Sequence, residues 1–217
     1  MRSYDAAIFD LDGTLLDTAE GISSSVGYVI RELGLPAVSD EVLRSFIGPP
    51  MQSSFARVFG MDKEHADAAA DMFRNRYKDT DIFLARPYDG IFEAIGDLKK
   101  AGIKCAVATY KRQDYAEKIL IHFGFDRICD CICGSDFAGR FSKKDIIENA
   151  IRDLGVTDRS RAVMIGDSDN DAIGASQINI PFIAVIYGFG FADAIEAGEF
   201  ANIGVAKAPG DIVRIMT

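Results

Sequence analysis

The sequence has no apolar stretch that approaches the ~20 residues of a membrane-spanning helix, so we expect no membrane partner. It also has no recognisable signal peptide, because Met1-Arg2-Ser3 leads directly into a strand-like segment. Basic residues are outnumbered, since 24 lysines and arginines stand against 33 acidic residues and the net charge is −9. This balance argues against a nucleic-acid backbone as the main partner. We therefore expect a cytoplasmic protein.

Cysteine and histidine are also scarce, with four and two copies. Cys129, Cys131 and Cys133 alternate, and alternate residues of a strand lie on one face. A zinc site typically has two-residue gaps and a second pair of ligands, and this sequence has neither. We therefore predict reduced thiols in the core or on a sheet face. His65 and His122 fall in predicted helices, and we assign neither a catalytic role.

The chain alternates strands and helices over most of its length. Apolar runs at 4–9, 104–109, 128–133, 162–165 and 182–186 predict strands, and helical patterns separate them from residue 87 onward. This alternation predicts an α/β fold with a doubly wound, mostly parallel, Rossmann-like sheet. Residues 17–84 show helical patterns with no convincing strand. We therefore predict a core of residues 1–16 and 85–217 with an all-helical insertion at 17–84.

An acidic segment, Asp10-Leu11-Asp12-Gly13-Thr14-Leu15-Leu16-Asp17, follows the first predicted strand. Asp10 and Asp12 leave the strand end together, and Gly13 permits a sharp change of direction. Open α/β sheets bind ligands at the carboxyl ends of their strands, and carboxylate oxygens suit a hard cation such as Mg²⁺. Aspartate and glycine are also ordinary turn residues, so spacing alone leaves a solvated turn as an equal alternative.

Polar residues follow the other predicted strands too. Thr109 ends the second strand, and Gly166-Asp167 ends the fourth, with Asp171 four residues further along. Ser142-Lys143-Lys144-Asp145 opens a predicted helix with a possible capping box. A hydroxyl, a lysine and four acids thus fall at strand ends or helix entries, which is what displacement at phosphorus by a carboxylate requires.

These residues resemble, in order, the four motifs of the haloacid dehalogenase (HAD) superfamily: Asp10 and Asp12, then Thr109, then a lysine, then Gly166-Asp167 with Asp171. The segments Ile47-Gly48-Pro49-Pro50 and Tyr187-Gly188-Phe189-Gly190 resemble the phosphoglycolate phosphatase and 5′-nucleotidase-like branch. The resemblance covers the whole chain, including a helical cap between the first and second motifs. It implies a Mg²⁺-dependent phosphatase acting on a small phosphorylated metabolite.

The resemblance also assigns roles. Asp10 is the expected nucleophile, which forms an aspartyl-phosphate, and Asp12 is the expected general acid and base. Thr109 would donate a hydrogen bond to a phosphoryl oxygen, and the lysine would neutralise charge on the phosphate. Asp10 and Asp167 would ligate Mg²⁺ through their side chains and Asp12 through its backbone carbonyl. Asp171 would be a ligand or would support the ligands.

Two departures from the family pattern matter. Thr109 precedes Tyr110-Lys111, whereas asparagine often follows this threonine in the family, and this changes what lies beside the phosphate. No proline follows the lysine of the third motif, so Lys143 and Lys144 compete for its role. We favour Lys143, because Ser-Lys-x-Asp-Ile-Ile resembles the pattern of this branch.

Other functions remain open from the sequence. A phosphomutase of the β-phosphoglucomutase type has the same core and a similar cap, and it returns the phosphoryl group instead of releasing it. A receiver-like phospho-aspartate module is the non-enzyme alternative, although it would be much shorter and would lack the helical insertion. Phosphoglycolate, a nucleoside monophosphate and a sugar phosphate all fit as substrates. The oligomeric state is likewise open.

Overall fold

A computed structural model describes residues 4–137 and 139–217. The expectation for Met1-Arg2-Ser3 lies outside the described residues. The chain forms two compact units, of which the first is Met1–Leu16 with Pro87–Thr217 and the second is Asp17–Arg86. No helix in the described ranges is both long enough and apolar enough to cross a membrane.

The described ranges contain eight strands: β1 (Ala6–Phe9), β2 (Leu16–Asp17), β3 (Arg86–Pro87), β4 (Lys104–Arg112), β5 (Cys131–Ser135), β6 (Ala162–Gly166), β7 (Phe182–Val185) and β8 (Gly204–Ala206). Strands β2 and β3 pair with each other, and the other six form one sheet in the order β5-β4-β1-β6-β7-β8. Neighbouring strands of this sheet run parallel. The predicted doubly wound α/β fold is therefore confirmed.

The same ranges contain ten α-helices: α1 (Ala19–Glu32), α2 (Asp40–Arg44), α3 (Met51–Phe59), α4 (Lys63–Tyr77), α5 (Ile91–Lys100), α6 (Gln113–Phe123), α7 (Lys143–Asp153), α8 (Asp169–Gln177), α9 (Ala194–Ala197) and α10 (Pro209–Met216). Short 3₁₀ turns occur at Asp81–Phe83, Phe125–Arg127 and Arg159–Arg161. Helices α1 to α4 belong to the second unit and the rest to the first.

Strand β1 lies in the middle of the sheet and is apolar throughout, because helices cover both faces of a parallel sheet. The chain continues from β1 to β4 and β5 on one side and returns to β6 on the other side. The strand order therefore reverses at β1. Open α/β sheets bind their ligands at the carboxyl ends of the strands where such a reversal occurs.

In the second unit two of the four helices begin at residues whose side chains cap them. The Ser39 side chain accepts a hydrogen bond from Val42 N at the start of α2, and Asp62 accepts one from His65 N at the start of α4. Phe46 and Phe55 are buried and meet edge to face with ring centroids 5.1 Å apart. Helix caps and aromatic packing thus both stabilise this unit.

The predicted strand at 128–133 is wrong at its beginning. The backbone N–H groups of Ile128 and Cys129 both donate to Phe125 O, which closes a local turn instead of pairing with β4. The strand begins only at Cys131. Cys129 therefore lies outside the strand that was predicted to carry three cysteines on one face. All four cysteines are free thiols.

Strand β4 continues past its predicted end at Thr109 and is irregular there. Ala108 pairs with Cys133 and Arg112 with Ser135, so β4 advances four residues while β5 advances two. The extra residues form a bulge, and bulges redirect side chains at sheet edges and beside active sites. Thr109, Tyr110 and Lys111 lie in this bulge.

Candidate active site

Asp10 and Asp12 lie immediately past β1. The Asp10 backbone N–H donates to Ile165 O at 2.9 Å, which extends the pairing of β1 with β6 by one residue. The chain then turns tightly at Gly13, whose φ of +85° is unfavourable for residues with a side chain. A Cβ atom at Gly13 would lie 2.1 Å from Asp167 Oδ2, so only glycine lets this turn approach Asp167.

Asp167 lies directly after β6, and the loop after β7 holds its side chain. Asp167 Oδ2 accepts hydrogen bonds from the backbone N–H groups of Phe189 at 2.7 Å and Gly190 at 3.0 Å. At Gly188 a Cβ atom would lie 2.5 Å from the same oxygen. One carboxylate oxygen is thus fixed by the backbone, which leaves Oδ1 as the oxygen that could ligate a cation.

Asp171 lies in the first turn of α8 and uses both of its oxygens. Oδ2 accepts hydrogen bonds from Ser168 N at 3.2 Å and Ser168 Oγ at 2.7 Å, so it closes the start of the helix. Oδ1 lies 2.6 Å from Lys143 Nζ. Asp171 therefore links the start of α8 to the lysine at the start of α7.

Lys143, not Lys144, is the lysine that lies against Asp10. Its Nζ is 2.6 Å from Asp10 Oδ1, and only 3% of the residue is exposed. Lys143 continues the buried stripe of α7, which is made of Ile146, Ile147, Ala150 and Ile151 at helical spacing. Lys144 lies off this stripe.

The β4 bulge brings two further residues to the site. Val107 pairs with Phe9, so Thr109 and Asp10 lie at the same carboxyl end of two neighbouring strands. Thr109 is buried, and its Oγ1 accepts a hydrogen bond from Lys111 N at 3.1 Å. Lys111 Nζ lies 3.1 Å from Asp12 Oδ1, and both side chains are less than 10% exposed. The sequence did not indicate this buried ion pair.

Burial and crowding change the pKa values of the acids. Burial, together with the nearby charges of Asp171 and Asp12, raises the pKa of Asp10 to about 7, although Lys143 opposes the change. Burial and the charges of Asp171 and Asp10 raise the pKa of Asp167 to about 8. Burial lowers the pKa of Lys143, but the two carboxylates beside it outweigh burial and leave that pKa above its ordinary value.

The residues fit a divalent metal ion. Carboxylate oxygens of Asp10, Asp167 and Asp171 lie within 4.8 Å of one another, and no other such group of three occurs in the ranges 4–137 and 139–217. All of the donors are hard oxygens, which suit Mg²⁺. With Asp12 the site holds four carboxylates against the ammonium groups of Lys111 and Lys143. One divalent cation would balance the excess charge.

The fold is that of the haloacid dehalogenase-like hydrolases, and the model of that family matches residues 7–185. The chain belongs to this family and is a phosphatase, as the sequence predicts.

A 5′-nucleotidase of Pseudomonas aeruginosa is 37% identical over 90% of this chain and 89% of its own length. A crystal structure of a predicted phosphatase from Clostridium acetobutylicum is 34% identical, with a TM-score of 0.91 over 98% of each chain. The tyrosine-protein kinase PtkA of Mycobacterium tuberculosis is 36% identical over 90% of this chain, which spans 66% of that longer protein.

Several features that shape the site were not predicted from the sequence. Tyr110 and Lys111 stand out in the sequence only as a departure from the family pattern after Thr109. Phe189 and Gly190 act through backbone N–H groups, which carry no side-chain signal. The buried stripe of α7 was visible in the sequence and would have favoured Lys143 over Lys144.

Proposed function

We propose that this protein is a Mg²⁺-dependent phosphatase that hydrolyses a small phosphorylated metabolite through an aspartyl-phosphate on Asp10. The observation that carries the proposal is the contact of Lys143 Nζ with Asp10 Oδ1 at 2.6 Å, beside the acids Asp167 and Asp171. The buried carboxyl ends of the strands bring together a carboxylate that can act as a nucleophile, the ammonium group of a lysine and a set of oxygen ligands. This combination suits attack on an anionic phosphate.

The side chains of Asp10 and Asp167 would hold Mg²⁺, with the backbone carbonyl of Asp12. Asp171 already contacts Ser168 and Lys143 with its two oxygens, so it better fits the role of supporting the ligands. When bound, Mg²⁺ would neutralise negative charge on the nucleophile and the phosphoryl group.

In the proposed reaction an Asp10 carboxylate oxygen forms a bond to phosphorus, and the bond from phosphorus to the substrate oxygen breaks. Asp12, which is protonated at the start of the cycle, gives its proton to the departing oxygen, so the first product leaves as an alcohol. Asp12 then takes a proton from a water molecule, whose oxygen attacks phosphorus and releases Asp10 and inorganic phosphate. Lys143 holds Asp10 in place and Lys111 holds Asp12.

We further propose that the helical residues 17–84 act as a cap that admits only small substrates and excludes bulk water during the reaction. The candidate substrates are phosphoglycolate, a nucleoside monophosphate and a sugar phosphate. The similarity to a 5′-nucleotidase supports a nucleoside monophosphate. Such metabolites are found in the cytoplasm, where we expect the enzyme to act.

The relative PtkA favours a second candidate, because its name describes transfer of a phosphoryl group to tyrosine. The same aspartyl-phosphate could pass its phosphoryl group to a tyrosine hydroxyl instead of to water. The hydroxyl would then lose its proton to Asp12, as water does in the hydrolytic reaction. Hydrolysis and transfer differ only in the acceptor.

A phosphate-release screen over a panel of phosphorylated metabolites tests the proposal, with Mg²⁺ present and with EDTA added. We expect turnover that EDTA abolishes and that Asp10→Asn eliminates without loss of folding. Asp169→Asn is the matched control, because Asp169 is an exposed acid of α8 and should be dispensable.

Other outcomes of the screen favour other functions. Isomerisation of a sugar phosphate without net release indicates a phosphomutase, and labelled phosphotyrosine on an added peptide indicates a kinase. Stable phosphorylation of Asp10 without turnover indicates a receiver-like module. Full activity in Asp10→Asn removes Asp10 from the mechanism.

A further inference from the structure

Tyr110 contacts Lys143 in two places. Its hydroxyl oxygen accepts a hydrogen bond from the backbone N–H of Lys143 at 2.9 Å. The centre of its ring lies 5.6 Å from Lys143 Nζ. One aromatic side chain thus meets both the backbone and the ammonium group of a single lysine. We propose that Tyr110 is a positioning residue that holds Lys143 against Asp10, an inference that rests on the proposed role of Lys143 in the reaction.

The hydrogen bond fixes the start of α7 to the end of β4. Lys143 is the first residue of α7, and N–H groups in the first turn have no acceptor within the helix. Ser142 and Asp145 form a capping box, and the Tyr110 hydroxyl accepts the N–H of Lys143. Because Tyr110 follows Thr109 in the β4 bulge, this bond places the lysine backbone relative to the strand end that carries Thr109.

The Tyr110 ring restricts the ammonium end of Lys143. A cation within about 6 Å of an aromatic ring is attracted to its face, and the attraction grows when the cation is removed from water. Lys143 is 3% exposed, so this condition is met. Its Nζ also lies 2.6 Å from carboxylate oxygens of Asp10 and Asp171. The ring limits the arrangements of a flexible side chain and favours the one in which the ammonium group meets Asp10.

The position of Lys143 also depends on the helix behind it. A Cβ atom at Gly174 in α8 would lie 2.9 Å from Lys143 Cγ, so the lysine stem packs against bare backbone there. The stem and the ammonium group are therefore both restricted by close neighbours. Tyr110 is the neighbour that also bonds to the lysine backbone.

Tyr110 also packs against the apolar core, so its removal could act through stability alone. A double-mutant cycle separates the two roles, because residues that act through one another give non-additive effects. Tyr110→Phe removes the hydroxyl and keeps the ring, and Tyr110→Leu removes both. Each is made in the wild-type chain, in Lys143→Met and in Lys144→Met, and the melting temperature of each variant is measured to verify folding.

We expect Tyr110→Phe to lower kcat/KM about 3- to 10-fold, the equivalent of one hydrogen bond. Tyr110→Leu should lower it about 10- to 100-fold, in line with misplacement of a catalytic group. In the Lys143→Met background neither substitution should cause a further loss. In the Lys144→Met background both should cause the same loss as in the wild type.

Two measurements give a readout that does not depend on turnover. Hydrogen exchange at the Lys143 amide should accelerate in Tyr110→Phe, because the acceptor of that N–H is lost. The affinity for inorganic phosphate in the presence of Mg²⁺, measured by calorimetry, should fall in the same order as kcat/KM. An unchanged exchange rate would overturn the structural part of the inference.

The results also separate this inference from the proposed function. If the wild type neither releases nor binds phosphate, the proposed function fails, and with it the role of Lys143. If the wild type is active but the losses multiply in the Lys143→Met background, Tyr110 does not act through Lys143. In that case the positioning role is refuted and the phosphatase remains.

Discussion

The crowding of buried acids leads to a prediction about stability. Asp167→Asn should make the metal-free protein more stable at pH 8, although it alters a residue that we place in the metal site. Asparagine keeps an oxygen that can accept the hydrogen bonds of Phe189 and Gly190. It removes one negative charge from the group that Asp167 forms with Asp10 and Asp171.

The direction of the pKa shift of Asp167 decides whether this acid stabilises or destabilises the folded protein. The pKa of Asp167 is raised to about 8 from an ordinary value of 3.8, so the folded protein binds this proton more tightly than the unfolded chain. Between these two values the folded state carries more protons, and the free energy of unfolding therefore falls as pH rises. The destabilisation is largest at the upper end of this window and disappears below the ordinary pKa.

The size of the pKa shift sets an upper bound on the stability gained by Asp167→Asn. One pKa unit corresponds to about 1.4 kcal/mol, so the full shift corresponds to about 6 kcal/mol. Asparagine is itself polar and must also be desolvated, so we expect a gain of about 2–3 kcal/mol. For a chain of this size that gain raises the melting temperature by about 5–10 °C.

Differential scanning calorimetry in EDTA measures the effect. We expect Asp167→Asn to melt above the wild type at pH 8, with a difference that shrinks as pH is lowered toward 4. Mg²⁺ should raise the melting temperature of the wild type but not that of the variant. Asp169→Asn, an exposed control in the same segment, should change stability by less than about 0.5 kcal/mol. A variant that melts below the wild type in EDTA at pH 8 would refute the reasoning.

Three further predictions concern neighbouring positions. Lys143→Met should lower kcat by about 100-fold or more in a phosphate-release assay, as expected when a positively charged hydrogen-bond donor is lost. Lys144→Met should remain active. Gly174→Ala should destabilise the protein by about 1–3 kcal/mol in urea unfolding, because the new methyl group meets the Lys143 stem. Gly96→Ala should instead stabilise it by about 0.5–1 kcal/mol, because nothing lies within 4 Å of the new Cβ in α5.

Most of the fold could be predicted because the strands β1, β6 and β7 of its sheet are buried on both faces. Such strands appear as continuous apolar runs, as in the segment Ala6–Phe9, and helical patterns separate them. The errors occur where local hydrogen bonds override the apolar pattern. Ile128 and Cys129 continue an apolar run, yet their N–H groups bond to Phe125 O. The bulge in β4 depends on its pairing with β5, which the sequence of β4 alone does not contain.

The acids of the candidate site could be found from sequence because their side chains lie at strand ends in a fixed order. Lys143 could be predicted from the sequence only in part. Family resemblance favoured it, and its position on the buried stripe of α7 gives an independent physical reason. The contact of Lys111 with Asp12 could not be found in this way, because it depends on how the β4 bulge directs its side chains. The backbone donors to Asp167 are equally invisible, since any residue except proline supplies one.

The same crowding of buried acids bears on the proposed mechanism. A protonated carboxylic acid is a poor nucleophile, and burial raises the pKa of Asp10 to about 7 even with Lys143 beside it, so part of it would be protonated at neutral pH without a metal ion. Lys143 opposes the shift from one side, and a divalent cation at Asp167 would oppose it from another. Ionisation of the proposed nucleophile would thereby be coupled to metal binding, because metal binding displaces protons from acidic ligands. Asp10 would then be ionised mainly when the cation is bound, and the same cation would offset the repulsion between Asp10 and the phosphate.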